Sequence, residues 1–365
     1  MEIANKPNIK RQIIFNIIYI VIVLGLTALA FYFTLRGKTK EVMSDLGHAN
    51  WGYIIAILGV VLGCILARSI AVFSLTKLFD KDYLFHRAVA IDQVGSLYRM
   101  VTPAGLGSHV METYIYHKQG IRMSNALSIL AMYTIVYQFV LIIYGLISII
   151  IKHQMISEIG YISIGSGNIS IWLLIGIGFG FNILTIAFVY LLSYFEPFYK
   201  FIKGPIYSLL AKLHLIRDLK ASRERLDASK INFRSNLKNL LKHVKTLFIV
   251  AFMFFIYITI SYSVPYICGL AVGNSSITAN YWDSVLLSNV HQMATCVIPI
   301  PGSAGVSELV FYNLFYKSGF YASEDISKAA LLLWRTLMFV IPLIIALVYT
   351  LIYRPRKRVI NYENN

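Results

Sequence analysis

Val101-Thr-Pro103-Ala-Gly105-Leu-Gly107-Ser-His-Val110-Met-Glu112-Thr-Tyr-Ile-Tyr116 and Val297-Ile-Pro299-Ile-Pro301-Gly302-Ser-Ala-Gly305-Val306-Ser-Glu308-Leu-Val-Phe-Tyr312 interrupt two apolar regions in the same manner. Laid over one another without a gap, they share Val, Pro, Val, Glu and Tyr. Proline removes a helix donor and glycine admits backbone that other residues avoid, so each stretch breaks its helix. In a membrane protein, Pro/Gly-interrupted segments at corresponding positions of two halves point to a transport site between inverted repeats.

The surroundings are those of a membrane protein. Hydrophobic residues make up 58% of the 365 residues and charged residues only 14%, against about a quarter in a soluble domain. Mean hydropathy is +0.67. A net charge of +16 would suggest nucleic acid in a soluble chain. Here it reads as the Lys/Arg enrichment of cytoplasmic loops, and no nucleic-acid partner is expected. Cys64, Cys268 and Cys296 lie in apolar segments without metal-ligand spacing and read as small core residues.

Full spans are expected at 13–34, 51–78, 124–151, 169–193, 246–270 and 329–353. Ala28-Leu29-Ala30 looks like a signal-peptidase site, but the apolar run from Ile13 to Thr34 is long enough to span, so a retained first helix is expected. Lys6, Lys10 and Arg11 place the N-terminus in the cytoplasm. Span two then returns to a side carrying Lys77, Lys81 and Arg87, and the segment 87–118 ends beside Lys118 and Arg122. That segment therefore enters and leaves by the cytoplasmic face as a re-entrant hairpin broken at Pro103–Gly107. Residues 281–316 dip in from outside, broken at Pro299–Gly305, and the last span returns to Arg354, Arg356, Lys357 and Arg358. In the rival topology each hairpin is a pair of complete spans. Its arms of about 15–18 residues lie at or below the lower limit for crossing.

The fold expected is all-α and polytopic, with about six full spans and two re-entrant helical hairpins in an inverted repeat. One integral-membrane domain covers 1–365. Its parts are the first span and outer loop at 1–50, repeat one with a connecting span at 51–193, a basic cytoplasmic linker at 194–245, repeat two at 246–353 and a tail at 354–365. In the linker, Tyr194 to Lys245, twelve Lys/Arg outnumber four Asp/Glu. Phe198, Phe201, Ile202, Ile206, Leu209 and Leu210 among its lysines suit an interfacial helix drawn to anionic lipid, or a basic loop that only sets topology.

Intramembrane charge is expensive and marks candidate sites. Glu112 and Glu308 follow the two breaks. They would bind a cationic headgroup, exchange a proton, or pair with arginine and pin the hairpins. Arg335 lies too deep for easy snorkelling and is a candidate for phosphate contact or for pairing with Glu308. Arg68 is explained by function or by snorkelling. Asp92 and Arg99, seven apart on one helical face, are expected to pair. Asn289, His291 and Gln292 occupy the matching arm of the second hairpin. Helix N-termini near Gly105 and Gly302 would carry partial positive charge toward a shared cavity, where a lipid phosphate is the natural anion. Pro103 and Pro301 fix those turns, and Gly105, Gly107, Gly302 and Gly305 let a headgroup approach the backbone, so these six join Glu112, Glu308, Arg335, Arg68 and Asp92 as candidate substrate-binding residues. His109 and His291 lack a second ligand, so no metal site is expected, nor any cofactor. Gly302-Ser303-Ala304-Gly305 has no placed His/Asp set to activate Ser303. Tyr133, Tyr137 and Gln138 share a face expected to line the bundle interior.

Thr102-Pro103-Ala-Gly105-Leu-Gly107 with Gly120-Ile121, and Pro299-Ile-Pro301-Gly302-Ser-Ala-Gly305-Val-Ser-Glu308, resemble the two signatures of the lysylphosphatidylglycerol synthase transmembrane region, a flippase-like family. Arg68 in Leu-Ala-Arg-Ser and Arg335 match positions where that family has arginine, and the resemblance runs from about 13 to 353. It implies translocation of a lipid between leaflets of a bacterial cytoplasmic membrane. In bifunctional members the lipid is an aminoacylated phosphatidylglycerol, and the outcome is resistance to cationic peptides. Those members carry a C-terminal synthase domain. This sequence ends at Asn365, so the resemblance implies no lysyltransferase activity unless a separate synthase supplies it. The second motif reads Pro-Ile-Pro-Gly-Ser where the family has more glycine, which bears on headgroup fit. Expected partners are anionic phospholipids, with self-association left open. A lipid-modifying enzyme component and an envelope scaffold are the alternative readings.

Overall fold

The computed structural model describes residues 39–354 apart from 165–166, 202–203, 205–218, 274–276 and 278, together with positions 21 and 25. The span expected at 13–34 and most of the linker pattern at 198–210 lie outside the described residues. Helix α1 (Thr39–Gly47) precedes α2 (Trp51–Thr76), which Asn50 caps by accepting from the Gly52 N–H at 2.8 Å. At 26 residues, α2 exceeds the ~20 needed to cross hydrocarbon. Then come α3 (Phe85–Val101), a 3₁₀ turn (Pro103–Gly105) and α4 (Gly107–Lys118), followed by α5 (Met123–Ile159). A two-stranded antiparallel ribbon, β1 (Tyr161–Ile164) and β2 (Gly167–Ser170), joins α5 to α6 (Ile171–Tyr194). Short α7 (Glu196–Phe201) and α8 (Leu219–Lys242) lead to α9 (Val244–Tyr262) and α10 (Val264–Val272). The second broken region is α11 (Tyr281–Thr295), a 3₁₀ turn (Pro301–Ser303) and α12 (Val306–Lys317). Helix α13 (Glu324–Arg335) continues through a π-helical turn (Thr336–Val340) into α14 (Ile341–Ile352).

Among the described residues, five helical stretches are long and apolar enough to cross a membrane: Trp51–Thr76, Met123–Ile159, Ile171–Leu191, Val244–Val272 and Glu324–Ile352. They coincide with the expected second to sixth spans, with three departures. Helix α5 runs to Ile159 rather than 151, the last span starts at Glu324 rather than 329, and a β ribbon, which no periodicity announced, separates α5 from α6. Pro342, at the start of α14, has no N–H to give the preceding turn, and the ladder there widens to π spacing.

Lipid tails are as apolar as leucine, so small residues that let backbones approach govern helix packing here. Gly178 of α6 is one. A Cβ placed on it would stand 1.9 Å from the Met293 carbonyl oxygen of α11. Gly95 of α3 is another, with a Cβ position 1.9 Å from Glu112 Oε1. Large side chains such as Leu62, Phe139, Leu184 and Phe248 point outward and are exposed.

Helices α2 and α9 pack along each other at the centre. Helix α3 packs on α2, α4 and α14, while α11 packs on α5, α6 and α12. The two 3₁₀ turns touch. Helix α8 lies on α5 and α6 through the buried Leu237 and Leu240, with Asn236 donating to Asn125 at 2.9 Å.

Candidate functional site

Helices α4 and α12, which follow the two breaks, have 12 residues each, about 18 Å at 1.5 Å per residue. Their tips bring the buried charges together. Pro103 and Pro301 each open a 3₁₀ turn. Gly105 (φ +67°), Gly302 (φ +60°) and Gly305 (φ +87°) take backbone that favours glycine. Gly107 starts α4, and its N–H donates to the Thr102 hydroxyl at 3.0 Å. A Cβ on Gly302 would also fall 2.4 Å from the Phe339 ring. Gly302→Ala is therefore expected to cost about 1–3 kcal/mol, from left-handed strain and a displaced ring. Thermal unfolding in detergent measures it.

Three guanidinium–carboxylate pairs surround the tips. Arg68 of α2 holds Asp92 of α3 through two contacts, Nε to Oδ1 at 2.8 Å and Nη2 to Oδ2 at 3.2 Å. Gln93 also donates to Asp92, at 3.0 Å. Arg99 donates from Nη2 to Glu112 Oε1 at 3.2 Å, and His109 Nδ1 lies 2.9 Å from Glu112 Oε2. Arg335 Nε stands 2.7 Å from Glu308 Oε1 as an ion pair whose N–H is not aimed along a hydrogen bond. Glu308 Oε2 accepts from the Gly305 N–H at 2.7 Å, and Arg335 Nη2 donates to the Gly302 carbonyl at 2.8 Å. Rings lie against two of the cations, Tyr257 at 5.1 Å from the Arg68 guanidinium carbon and Phe339 at 3.9 Å from that of Arg335. Such stacking adds cation–π attraction.

The expected Asp92–Arg99 pair does not form. Both residues keep the same helix, but Asp92 turns to Arg68 across the α2–α3 contact and Arg99 turns to Glu112. Planar two-point contact with a carboxylate on a neighbouring helix outcompetes an exposed i,i+7 partner. Arg68 accordingly points inward rather than snorkelling. Of the roles open for the two glutamates, the structure shows arginine pairing for both. They also differ in depth. Glu308 sits in the first turn of α12, whereas Glu112 is a turn further into α4.

All three carboxylates are nearly dry, with side-chain exposures of 1% for Asp92, 4% for Glu112 and 1% for Glu308. The side chain of Arg99 is 41% exposed. It lines two neighbouring cavities. The larger, about 310 Å³, is walled by Tyr257, Ser261, Ser288, His291, Gln292, Ser307, Trp334 and Arg335, with Gly302 and Ser303 at its tip. The smaller, about 140 Å³, holds Arg68, Ser96 and Tyr257. Arg99, Met100, Tyr257 and Met338 belong to both.

Sequence reasoning marked Arg335, Gly302 and Arg68, which line the cavities, and Glu308, Glu112 and Asp92, which stand behind them. It missed Arg99 as a cavity residue by assigning it to Asp92. Tyr257 it did not single out, since a tyrosine among apolar residues carries no local signal. His291 lines the larger cavity with Nε2 directed at the Ser307 carbonyl, 2.9 Å away. Tyr133 and Tyr137 meet Phe254 edge-on in the interior, as their shared face suggested. Among the described residues no three His, Cys, Asp or Glu side chains cluster to hold a metal.

Two broken helices among apolar spans thus bring three arginine–carboxylate pairs and two cavities together. No curated protein matches the sequence. The family model for the lysylphosphatidylglycerol synthase TM region matches residues 16–346, and the chain belongs to that family.

Proposed function

We propose that this protein moves a phospholipid between the leaflets of a bacterial cytoplasmic membrane, with both termini cytoplasmic and the two broken regions acting as re-entrant hairpins. One observation carries the reading. Arg99, just before the first break, donates a guanidinium N–H to Glu112 and lines both cavities. A phosphate is the anion suited to that group. The carboxylates behind the arginines orient them, and Arg335 holds the Gly302 carbonyl so that the tip keeps its shape. The family membership supports a role in membrane lipid chemistry.

Packing supports an inverted repeat. Helix α3 lies on α14, and its counterpart α11 lies on α5, the corresponding span of the other half. Helix α2 meets its counterpart α9 at the centre. Under this reading one half rocks against the other and exposes the arginines alternately to each leaflet.

The test is leaflet exchange of labelled phospholipids in vesicles carrying the purified protein. Exchange above that of protein-free vesicles is expected, falling to their level with Arg99→Ala and partly kept with Arg99→Lys. Wild-type vesicles no faster than empty ones would remove the proposal.

A further inference from the structure

The smaller cavity lies between α2 and the last span, and its counterpart in the other half is filled. Val61, Cys64 and Ile65 line it from α2. Met338, in the π turn, and Pro342, at the start of α14, line it from the opposite side. Helix α2 meets the last span there along the π turn. The equivalent seam in the other half, between α9 and α5, is closed. Phe254 stacks edge-on against Tyr133 and Tyr137, with centroids 4.8 and 5.3 Å away. The hydroxyls of Tyr144 and Thr259 are hydrogen-bonded across that seam. One seam is thus zipped by aromatic rings and a hydroxyl pair, and the other holds an apolar cleft.

The cleft is not uniform. Val61, Cys64, Ile65, Met100, Met338 and Pro342 give it apolar walls, and Arg68 together with Ser96 and Arg99 of α3 stands among them. Arg99, Met100, Tyr257 and Met338 continue from it into the larger cavity. An apolar cleft between two spanning helices that also presents guanidinium groups matches the chemistry of a phospholipid, with its acyl end along the apolar walls and its phosphate at the arginines. Methionine side chains, unbranched and adaptable, can repack around a chain of variable shape. The π turn is suited to the same place, since its ladder is already loosened beside Arg335.

The geometry points to the α2–α14 seam as the lateral portal through which a phospholipid's acyl chains remain in the bilayer while its phosphate reaches Arg99. This inference rests on the translocase reading. It adds the entry path and the residues that form it. It also sets the two seams apart, one holding a cleft and its counterpart bridged by rings and a hydroxyl pair.

The experiment links the seam. Ile65→Cys and Met338→Cys are introduced together in a background where Cys64, Cys268 and Cys296 are alanine, and the full chain is placed in vesicles and treated with a flexible bis-maleimide. Leaflet exchange of labelled phosphatidylglycerol is then followed. The expected result is that the linked double variant exchanges lipid at the rate of protein-free vesicles. The unlinked double variant, and each single variant given the same reagent, exchange well above that rate. Val61→Cys with Pro342→Cys repeats the measurement at a second level of the seam, should the first pair not fold. Linked protein that exchanges lipid as fast as unlinked protein overturns the portal while leaving translocation intact. A wild type that exchanges nothing overturns the translocase reading itself, so the two failures are told apart. Free glycerol phosphate is the control ligand. If it protects Arg99 from a guanidinium-modifying reagent equally in linked and unlinked protein, the linkage closes the lipid path without closing the phosphate site. If linkage abolishes that protection, the seam serves a soluble phosphate and the lipid portal is overturned.

Discussion

Arg335→Met is expected to destabilise the protein by about 3–5 kcal/mol, the cost of leaving one member of a buried ion pair without its partner. The side chains of Arg335 and Glu308 are 4% and 1% exposed, so neither charge has water to fall back on. The substitution strands the Glu308 carboxylate and also takes the Nη2 donor from the Gly302 carbonyl. Replacing both residues with apolar ones, Arg335→Met with Glu308→Leu, removes the stranded charge. Such paired replacement is often neutral or stabilising. Most of the lost stability should therefore return in the double variant, as read by denaturant titration in detergent micelles. A double variant no more stable than the single one would contradict the pairing. Transport separates pinning from function. If the pair only holds α12 in place, the double variant recovers lipid exchange along with stability. If Arg335 shapes the tip that receives phosphate, exchange stays at background although the fold returns.

Gly178→Ala and Gly176→Ala, two residues apart on α6, are expected to act in opposite directions. At Gly178 a methyl group would stand 1.9 Å from a backbone oxygen of α11 and 2.7 Å from its carbonyl carbon. A backbone carbonyl inside a packed helix cannot swing aside, so the two helices must separate. We expect a loss of about 3 kcal/mol, at the upper end of over-packing costs. Lipid exchange should fall as well, because α11 carries His291 and Gln292 into the larger cavity. At Gly176 nothing lies within 4 Å of the new methyl. Alanine there should gain about 0.5–1 kcal/mol from the backbone freedom it removes in the unfolded chain. Thermal unfolding of both variants side by side is the measurement. Equal shifts would mean that α6 and α11 do not approach as described.

A comparison of the same kind shows where sequence reading stopped. Glycines 176, 178 and 180 are indistinguishable in the string Gly-Ile-Gly-Phe-Gly. Only the approach of another helix separates them. The two glutamates teach the same lesson. In the gapless overlay Glu112 and Glu308 occupy one position, yet α4 begins five residues before Glu112 (112 − 107) and α12 only two before Glu308 (308 − 306). The overlay aligned residues, whereas helix starts depend on which turn the tip contacts allow. Hence Glu308 accepts from a backbone N–H at its helix end, and Glu112 reaches back against Gly95 to Arg99.

What the amino-acid order determined by itself was local in its physics. Transfer of an apolar run into hydrocarbon is summed along the run, so the second to sixth spans were readable to within a few residues at most of their ends. Proline and glycine act on their own backbone, so both breaks were readable too. The expense of burying charge singles out Arg68, Asp92, Glu112, Glu308 and Arg335 from the amino-acid order alone. What the tertiary structure alone decided was which charge faces which. Asp92 joins Arg68 from a different helix rather than Arg99 from its own, and Arg99 is thereby left facing the cavities. Ion pairs between helices depend on distances in space that hydropathy and periodicity do not encode. The same reason applies to the two seams, one filled by rings and one empty, since a gap between helices belongs to neither sequence that borders it.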